Sequence, residues 1–136
     1  MTKNAVKGCA TMYEGLHHVA LIIRDLEKAK QFYGEVLGFV VSQDRPDFDF
    51  DGIWYHIGTT ELHLVVPRGN KAGAEQAAIS PKEGHFAIRV TNMKELLERF
   101  DRYNWKYESY PDSITGWHQV FIADPEGHRI EFNEPL

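Results

Sequence analysis

The sequence predicts an α+β fold of two βαβββ modules, and three observations carry that prediction. The chain repeats itself: at an offset of 67 residues, His18 falls on His85, Ala20 on Ala87, Leu21 on Ile88 and Ile23 on Val90. At the same offset Asp25 falls on Asn92, Leu26 on Met93 and Tyr33 on Phe100. In both copies a β-branched, aliphatic run gives way to a stripe of 3.6-residue period. Each copy then ends in three short strand-like runs punctuated by turn residues. A pseudo-twofold axis between the copies makes one half-open, cup-shaped mixed sheet, with a helix from each module on its outer face.

Residues 1–14 have no periodicity and read as a lead-in to a first module over 15–66. Leu16 to Ile23 is its opening strand. Asp25 caps a helix whose stripe is Leu26, Ala29, Phe32, Tyr33, Val36 and Leu37, and Gly38 ends it. Phe39 to Gln43 is a second strand, and after a polar connection Ile53 to Ile57 and Glu61 to Val66 form a hairpin around Gly58-Thr59-Thr60. Residues 67–83 are a linker rich in Gly, Ala and charge, with a short helical turn expected near Glu75 to Ile79. The second module, 84–136, opens with His85 to Val90. Asn92 and Glu95 then cap a helix whose stripe is Met93, Leu96, Leu97, Phe100 and Tyr103. Trp105 to Ser109 is the next strand. Trp117 to Ala123 and Arg129 to Asn133 pair across Asp124-Pro125-Glu126-Gly127, which suits a type I turn.

The 136 residues fit one compact domain, and 43% hydrophobic, 26% charged and 12% aromatic content is that of a globular chain. A net charge of −5 argues against nucleic acid and anionic membrane surfaces as partners. No apolar run approaches the roughly 20 residues that span a bilayer. The first residues lack the apolar core of a secretory signal, and the single Cys9 has no internal disulfide partner. Together these point to the cytoplasm.

Alternation along the strands selects the candidate site. Val19, Leu21 and Ile23 share one face and His18, Ala20 and Ile22 the other, and Phe86, Ile88 and Val90 likewise oppose His85, Ala87 and Arg89. The bulky faces pack on the helices, so both histidines point into whatever the sheet encloses. Leu62, Leu64 and Val66 oppose Glu61, His63 and Val65; Ile130 and Phe132 oppose Arg129, Glu131 and Asn133. His63 and Glu131 therefore hold matching places, offset by 68 residues. His18, His63, His85 and Glu131 would meet on one concave surface. Three imidazoles and a carboxylate suit Zn, Ni, Co, Mn or Fe(II), with water in the remaining positions. Arg89, Trp54, His56 and His118 are candidates for the substrate-binding wall. Alternation sends His17 to the helix side, and His128 sits in a turn, so neither is expected at the site.

Gly15-Leu16-His17-His18-Val19-Ala20-Leu21, Asp25-Leu26, Phe32-Tyr33 and Val36-Leu37-Gly38-Phe39 resemble the opening of the vicinal oxygen chelate superfamily. Asp124-Pro125-Glu126-Gly127-His128-Arg129-Ile130-Glu131-Phe132 resembles its closing hairpin. That group includes glyoxalase I, fosfomycin resistance, bleomycin resistance and extradiol dioxygenase proteins. The resemblance, which spans about Leu16 to Asn133, implies paired βαβββ modules around a divalent metal held by His18, His63, His85 and Glu131. It also implies a homodimer with sites where the chains meet.

Three activities and one non-catalytic role follow from it. A glyoxalase-like lyase or isomerase would hold two neighbouring substrate oxygens on the metal, with Glu131 as ligand and base. Glyoxalase I usually has glutamate where this chain has His63, and Glu61 lies two residues away on the same face. A fosfomycin-type transferase or hydrolase matches His18, His85 and Glu131, although such enzymes typically continue into basic residues past the point where this sequence stops. An extradiol-type dioxygenase would use two histidines and a carboxylate on Fe(II). A non-catalytic small-molecule binding protein would need only the cavity.

Overall fold

The structure, a computed structural model, describes residues 12–68 and 84–136. Cys9, the helical turn expected at 75–79 and most of the 67–83 linker lie outside those residues. The order of elements is β1 (His18–Ile22), α1 (Leu26–Lys30) running on into π-helical turns (Gln31–Val36), β2 (Val40–Val41), β3 (Gly52–Ile57) and β4 (Thr60–Val65). The second module repeats it with β5 (Phe86–Arg89), α2 (Met93–Arg102), β6 (Glu108–Tyr110), β7 (Trp117–Ala123) and β8 (Arg129–Pro135). The sheets have matching orders, β1-β4-β3-β2 and β5-β8-β7-β6, each with one parallel pair and two antiparallel pairs. Two βαβββ modules are present, as the repeat requires. Among the described residues, no helix is long and apolar enough to cross a membrane.

Local chemistry explains the boundaries. Asp25 caps α1 by accepting from the Lys28 N–H, and Asn92 does the same for α2 from Glu95. Gly38 takes a φ of +77°, and a Cβ there would lie 2.7 Å from Arg99 Nη2. That close approach lets Arg99 of α2 donate to the Val36 and Glu35 carbonyls, at 2.8 and 2.9 Å, and so complete the end of the first helix from the other module. The strand expected at Trp105 to Ser109 is instead the shorter β6. Trp105 and Tyr107 are drawn to the helical side: the Trp105 indole donates to the Ala123 carbonyl and its ring lies 4.8 Å from Phe32. The Tyr107 ring lies 5.8 Å from Phe100. β2 is likewise shorter than the expected Phe39 to Gln43, because the Phe39 ring turns toward Tyr33 and Tyr55.

One core serves both modules. Leu62, Leu64, Tyr55 and Ile23 from the first and Val120, Ile122, Ile130 and Phe132 from the second bury against Phe32, Tyr33, Met93 and Phe100 of the helical layer. The polar centre of that joint is Asp124, which is buried. Its carboxylate accepts from the Glu126 and His128 backbone N–H groups, which makes the Asp-Pro-Glu-Gly turn. It also accepts from Tyr33 Oη at 2.6 Å and meets His128 Nδ1 at 2.8 Å. Glu126 receives the backbone N–H groups of Arg24 and Asp25. His128, set aside in the sequence, thus belongs to the cross-module clamp, and its ring also bonds the Ile22 carbonyl. Its burial disfavours the charged ring. The bond to Asp124 and the Asp124 and Glu126 charges more than offset that, so its pKa is raised above the ordinary histidine value.

Two outcomes are expected. Tyr33→Phe removes a donor from a buried carboxylate and should cost about 1–3 kcal/mol in urea denaturation. The stability advantage of the wild type over His128→Asn should be full below the unfolded histidine pKa of about 6.5 and shrink as pH rises through the higher folded value. Thermal unfolding of both proteins at pH 5.5 to 9 reads that difference.

Candidate metal and substrate site

The register of each sheet sets residues side by side on the face turned away from the helices. In the first sheet one row across β1, β4, β3 and β2 is His18, Glu61, His56 and Val40; the next is Ala20, His63 and Trp54. The methyl of Ala20 leaves room beside His63, and the His18 ring lies over it, 4.0 Å away and 14° from parallel. On its other side His63 stacks on Trp54 at 3.7 Å and 2°. Held between two rings, His63 is buried. Its Nε2 meets Glu61 Oε1 at 2.9 Å, and the other Glu61 oxygen faces His56 Nδ1 at 3.7 Å and Ser42 Oγ at 3.4 Å. Burial pulls the His63 pKa down, opposed by Glu61, whereas the bond from His63 pulls Glu61 below its ordinary value.

In the second sheet the row that matches Ala20, His63 and Trp54 is Ala87, Glu131, Phe121 and Glu108, and the row after it is Arg89, Asn133, Gln119 and Tyr110. Glu131 is buried, with Oε1 3.2 Å from His85 Nε2. Its Oε2 accepts from Gln119 Nε2 at 3.0 Å and Asn133 Nδ2 at 2.9 Å. Burial opposes ionisation of Glu131, but the bonds from Asn133, Gln119 and His85 more than offset it and leave the carboxyl below its ordinary pKa. Arg89 donates from Nε to Asn133 Oδ1 at 2.6 Å, with its guanidinium 4.9 Å from the Trp117 ring centre.

The sequence-selected residues therefore fall into two pairs, His18 with His63 and His85 with Glu131. Among the described residues of one chain, no group of three or more His, Cys, Asp or Glu side chains gathers so as to hold a metal ion. The donor chemistry of each pair nonetheless suits one. Two neighbouring ligands on a divalent ion at metal–ligand distances near 2.1 Å lie about 3 Å apart, close to the His85–Glu131 spacing. The bond from His63 Nε2 to Glu61 is the carboxylate support that metal-ligating histidines commonly have, and it leaves Nδ1 as the donor nitrogen.

Other residues lie where alternation did not place them. His17 precedes β1 and turns toward the open face, its Nδ1 2.9 Å from His18 Nδ1, rather than to the helices. His118 shares the alternation of Val120 and Ile122 and bonds Ser109 Oγ at 2.7 Å, so Gln119 takes the place beside Glu131. Gln119 and Asn133 were not singled out in the sequence, although both share the parity of their site partners, Phe121 and Glu131. A cleft of about 550 Å³ runs between the β3–β4 turn and β5, with His85, Ala87, Arg89, Leu16 and Thr60 on its walls.

Glu61→Gln should lower the proton affinity of His63 further, since the carboxylate is what opposes the effect of burial. The His63 Cε1–H resonance, followed by proton NMR through a pH series, should titrate at lower pH in the variant than in the wild type. An unchanged midpoint would mean that Glu61 does not act on this ring.

The chain is 25% identical over 118 residues to Glyoxylase I 4 of Arabidopsis thaliana, covering 85% of this chain and 68% of that protein. It is 25% identical over 123 residues to a lactoylglutathione lyase of Salmonella typhimurium, covering 88% and 91%. It spans only 42% of the longer Arabidopsis Lactoylglutathione lyase GLX1. A glyoxalase family protein from Enterococcus faecalis superposes with a TM-score of 0.70 at 26% identity, over 91% of this chain and all (100%) of that one. The fosfomycin resistance protein FosX of Listeria monocytogenes, in a variant complexed with Mn(II) and 1S,2S-dihydroxypropylphosphonic acid, shares the fold with a TM-score of 0.71 at 17% identity, over 92% and 95%. The model of the Glyoxalase/Bleomycin resistance protein/Dioxygenase superfamily matches residues 15–132, and the chain belongs to that superfamily.

Proposed function

We propose that this protein is a divalent-metal-dependent enzyme of the glyoxalase type, a lyase or isomerase. Its substrate is small and presents two neighbouring oxygens. Each site takes His18 and His63 from one chain and His85 and Glu131 from a second copy. The observation that carries this is the splitting of four matched donors into two pairs on open sheet faces, while the modules of one chain are joined through their helical side. Ile22 and Val40, on the same face as His18, are 60% and 67% exposed, which suits a surface that another copy covers. The lactoylglutathione lyase relatives support the reaction type.

When bound, a Zn, Ni, Co, Mn or Fe(II) ion supplies Lewis acidity, which makes the carbon beside the chelated oxygens more acidic. The protein's own residues do the rest. Glu131, kept ionised by Asn133, Gln119 and His85, is ligand and base in turn: Oε1, its one oxygen not taken up by amide N–H groups, accepts the proton when it is off the ion and returns it to the neighbouring carbon. His18, His63 and His85 would supply ring nitrogens as the remaining ligands. Arg89 meets an anionic group of the substrate through the outer edge of its guanidinium, and Trp54 and His56 form the opposite wall. The donor set holds one carboxylate, with His63 where a second would stand, and this favours a fosfomycin-type addition as the second reading. Product analysis with a hemithioacetal and with an epoxide phosphonate separates the two.

The dimer-borne site has a direct test. His18→Ala/His63→Ala and His85→Ala/Glu131→Ala should each be inactive alone. Unfolded together and refolded as an equal mixture, they should recover about a quarter of wild-type activity, because half the dimers carry one intact site out of two. Recovery of nothing, with dimers verified by light scattering, would place the whole site within one chain or discard it.

A further inference from the structure

We propose that Gln119 and Asn133 are positioning residues that hold Glu131 so that it offers a single oxygen, Oε1, to a divalent cation. This rests on the reading of His85 and Glu131 as metal donors given above. A carboxylate on a flexible stem otherwise binds a cation through one oxygen or both. Here Oε2 already accepts two N–H bonds, from β7 and from β8, at 3.0 and 2.9 Å.

An amide group can turn over, so what grips its other end decides which atoms face the carboxylate. Arg89 has only donors, and its Nε lies 2.6 Å from Asn133 Oδ1, which directs the Asn133 NH2 at Glu131. Ser113 Oγ lies 2.6 Å from Gln119 Oε1. That hydroxyl already accepts from Thr115 N and Thr115 Oγ1, so its own proton goes to Gln119. Both amides are thereby fixed from behind with their N–H groups on Oε2. For the second oxygen to reach a cation, two bonds in a buried setting would have to break. Oε1, facing His85, is held by no such pair.

The repeat supplies an independent comparison. The row that carries Arg89, Asn133 and Gln119 in the second sheet is Ile22, Val65 and Gly52 in the first. The polar clamp stands only in the module whose central residue is a carboxylate; where that residue is His63, the row has no polar side chain.

The test titrates the full chain with Mn²⁺, reading free ion by electron paramagnetic resonance, and records infrared difference spectra between metal-loaded and metal-free protein. The wild type should show the widely split carboxylate stretches of one-oxygen binding. Gln119→Met and Asn133→Leu should each weaken Mn²⁺ binding about tenfold and narrow that splitting as Glu131 turns to bind through both oxygens. Ser113→Ala, which removes only a hydroxyl from a turn, should move both readouts in the same direction and guards against a core variant that fails to fold. Folded variants with wild-type affinity and an unchanged spectrum would overturn the proposal alone, as would a narrow splitting in the wild type. A wild type that takes up no Mn²⁺ would overturn the metal reading and this proposal together.

Discussion

The alternation of side chains along β4 and β8, each hydrogen-bonded in parallel to the first strand of its module, is the constraint from which the rest of this structure follows. It sends Leu62 and Leu64, and Ile130 and Phe132, into one apolar layer under the helices. It sends His63 and Glu131 to the opposite face, beside Ala20 and Ala87. A slip of one residue in either parallel pair would bury the polar set among the helices and expose the aliphatic set, at a cost of several kcal/mol for each strand. Core and site are therefore two sides of one register, and neither can change without the other.

Buried polar groups then fix how the modules meet. Asp124 sits at the joint with Tyr33 from the first helix and His128 from its own turn, and its carboxylate is met by the Tyr33 hydroxyl, the Glu126 and His128 backbone N–H groups and the His128 ring. Such a group is costly unless satisfied, so it admits only arrangements that bring Tyr33 to it. Arg99 acts in the same way from α2, closing the end of the first helix against Gly38. With the joint made on the helical side, each sheet keeps an open face, and the candidate ligands are presented as pairs.

The two half-sites are differently furnished although their topology is the same. The first is aromatic: His63 lies between His18 and Trp54, with Glu61 at its edge. The second is an amide-lined carboxylate, with Arg89 and Ser113 fixing the amides that fix Glu131. In the function proposed above, that asymmetry puts the grip on the substrate on one side and the movement of a proton on the other. A duplicated fold provides it without any change of backbone.

Much of this was legible in the residues. The offset of His18 and His85, the helix stripes, the caps at Asp25 and Asn92 and the Asp-Pro-Glu-Gly turn are local or periodic signals, and periodicity survives in one dimension. The sequence alone settled which residues share a face, since alternation needs no knowledge of neighbours. It did not settle the length of β6 or the clamp role of His128, because Trp105 answers to Phe32 and His128 to Ile22, far away in the chain; His17 escapes the alternation because it precedes β1, whereas His118 obeys it alongside Val120 and Ile122. Nor did the sequence show that the four candidate donors divide two and two within a chain. That depends on which sides of the modules bury the most apolar surface against each other, a comparison of areas that exists only once both modules are folded.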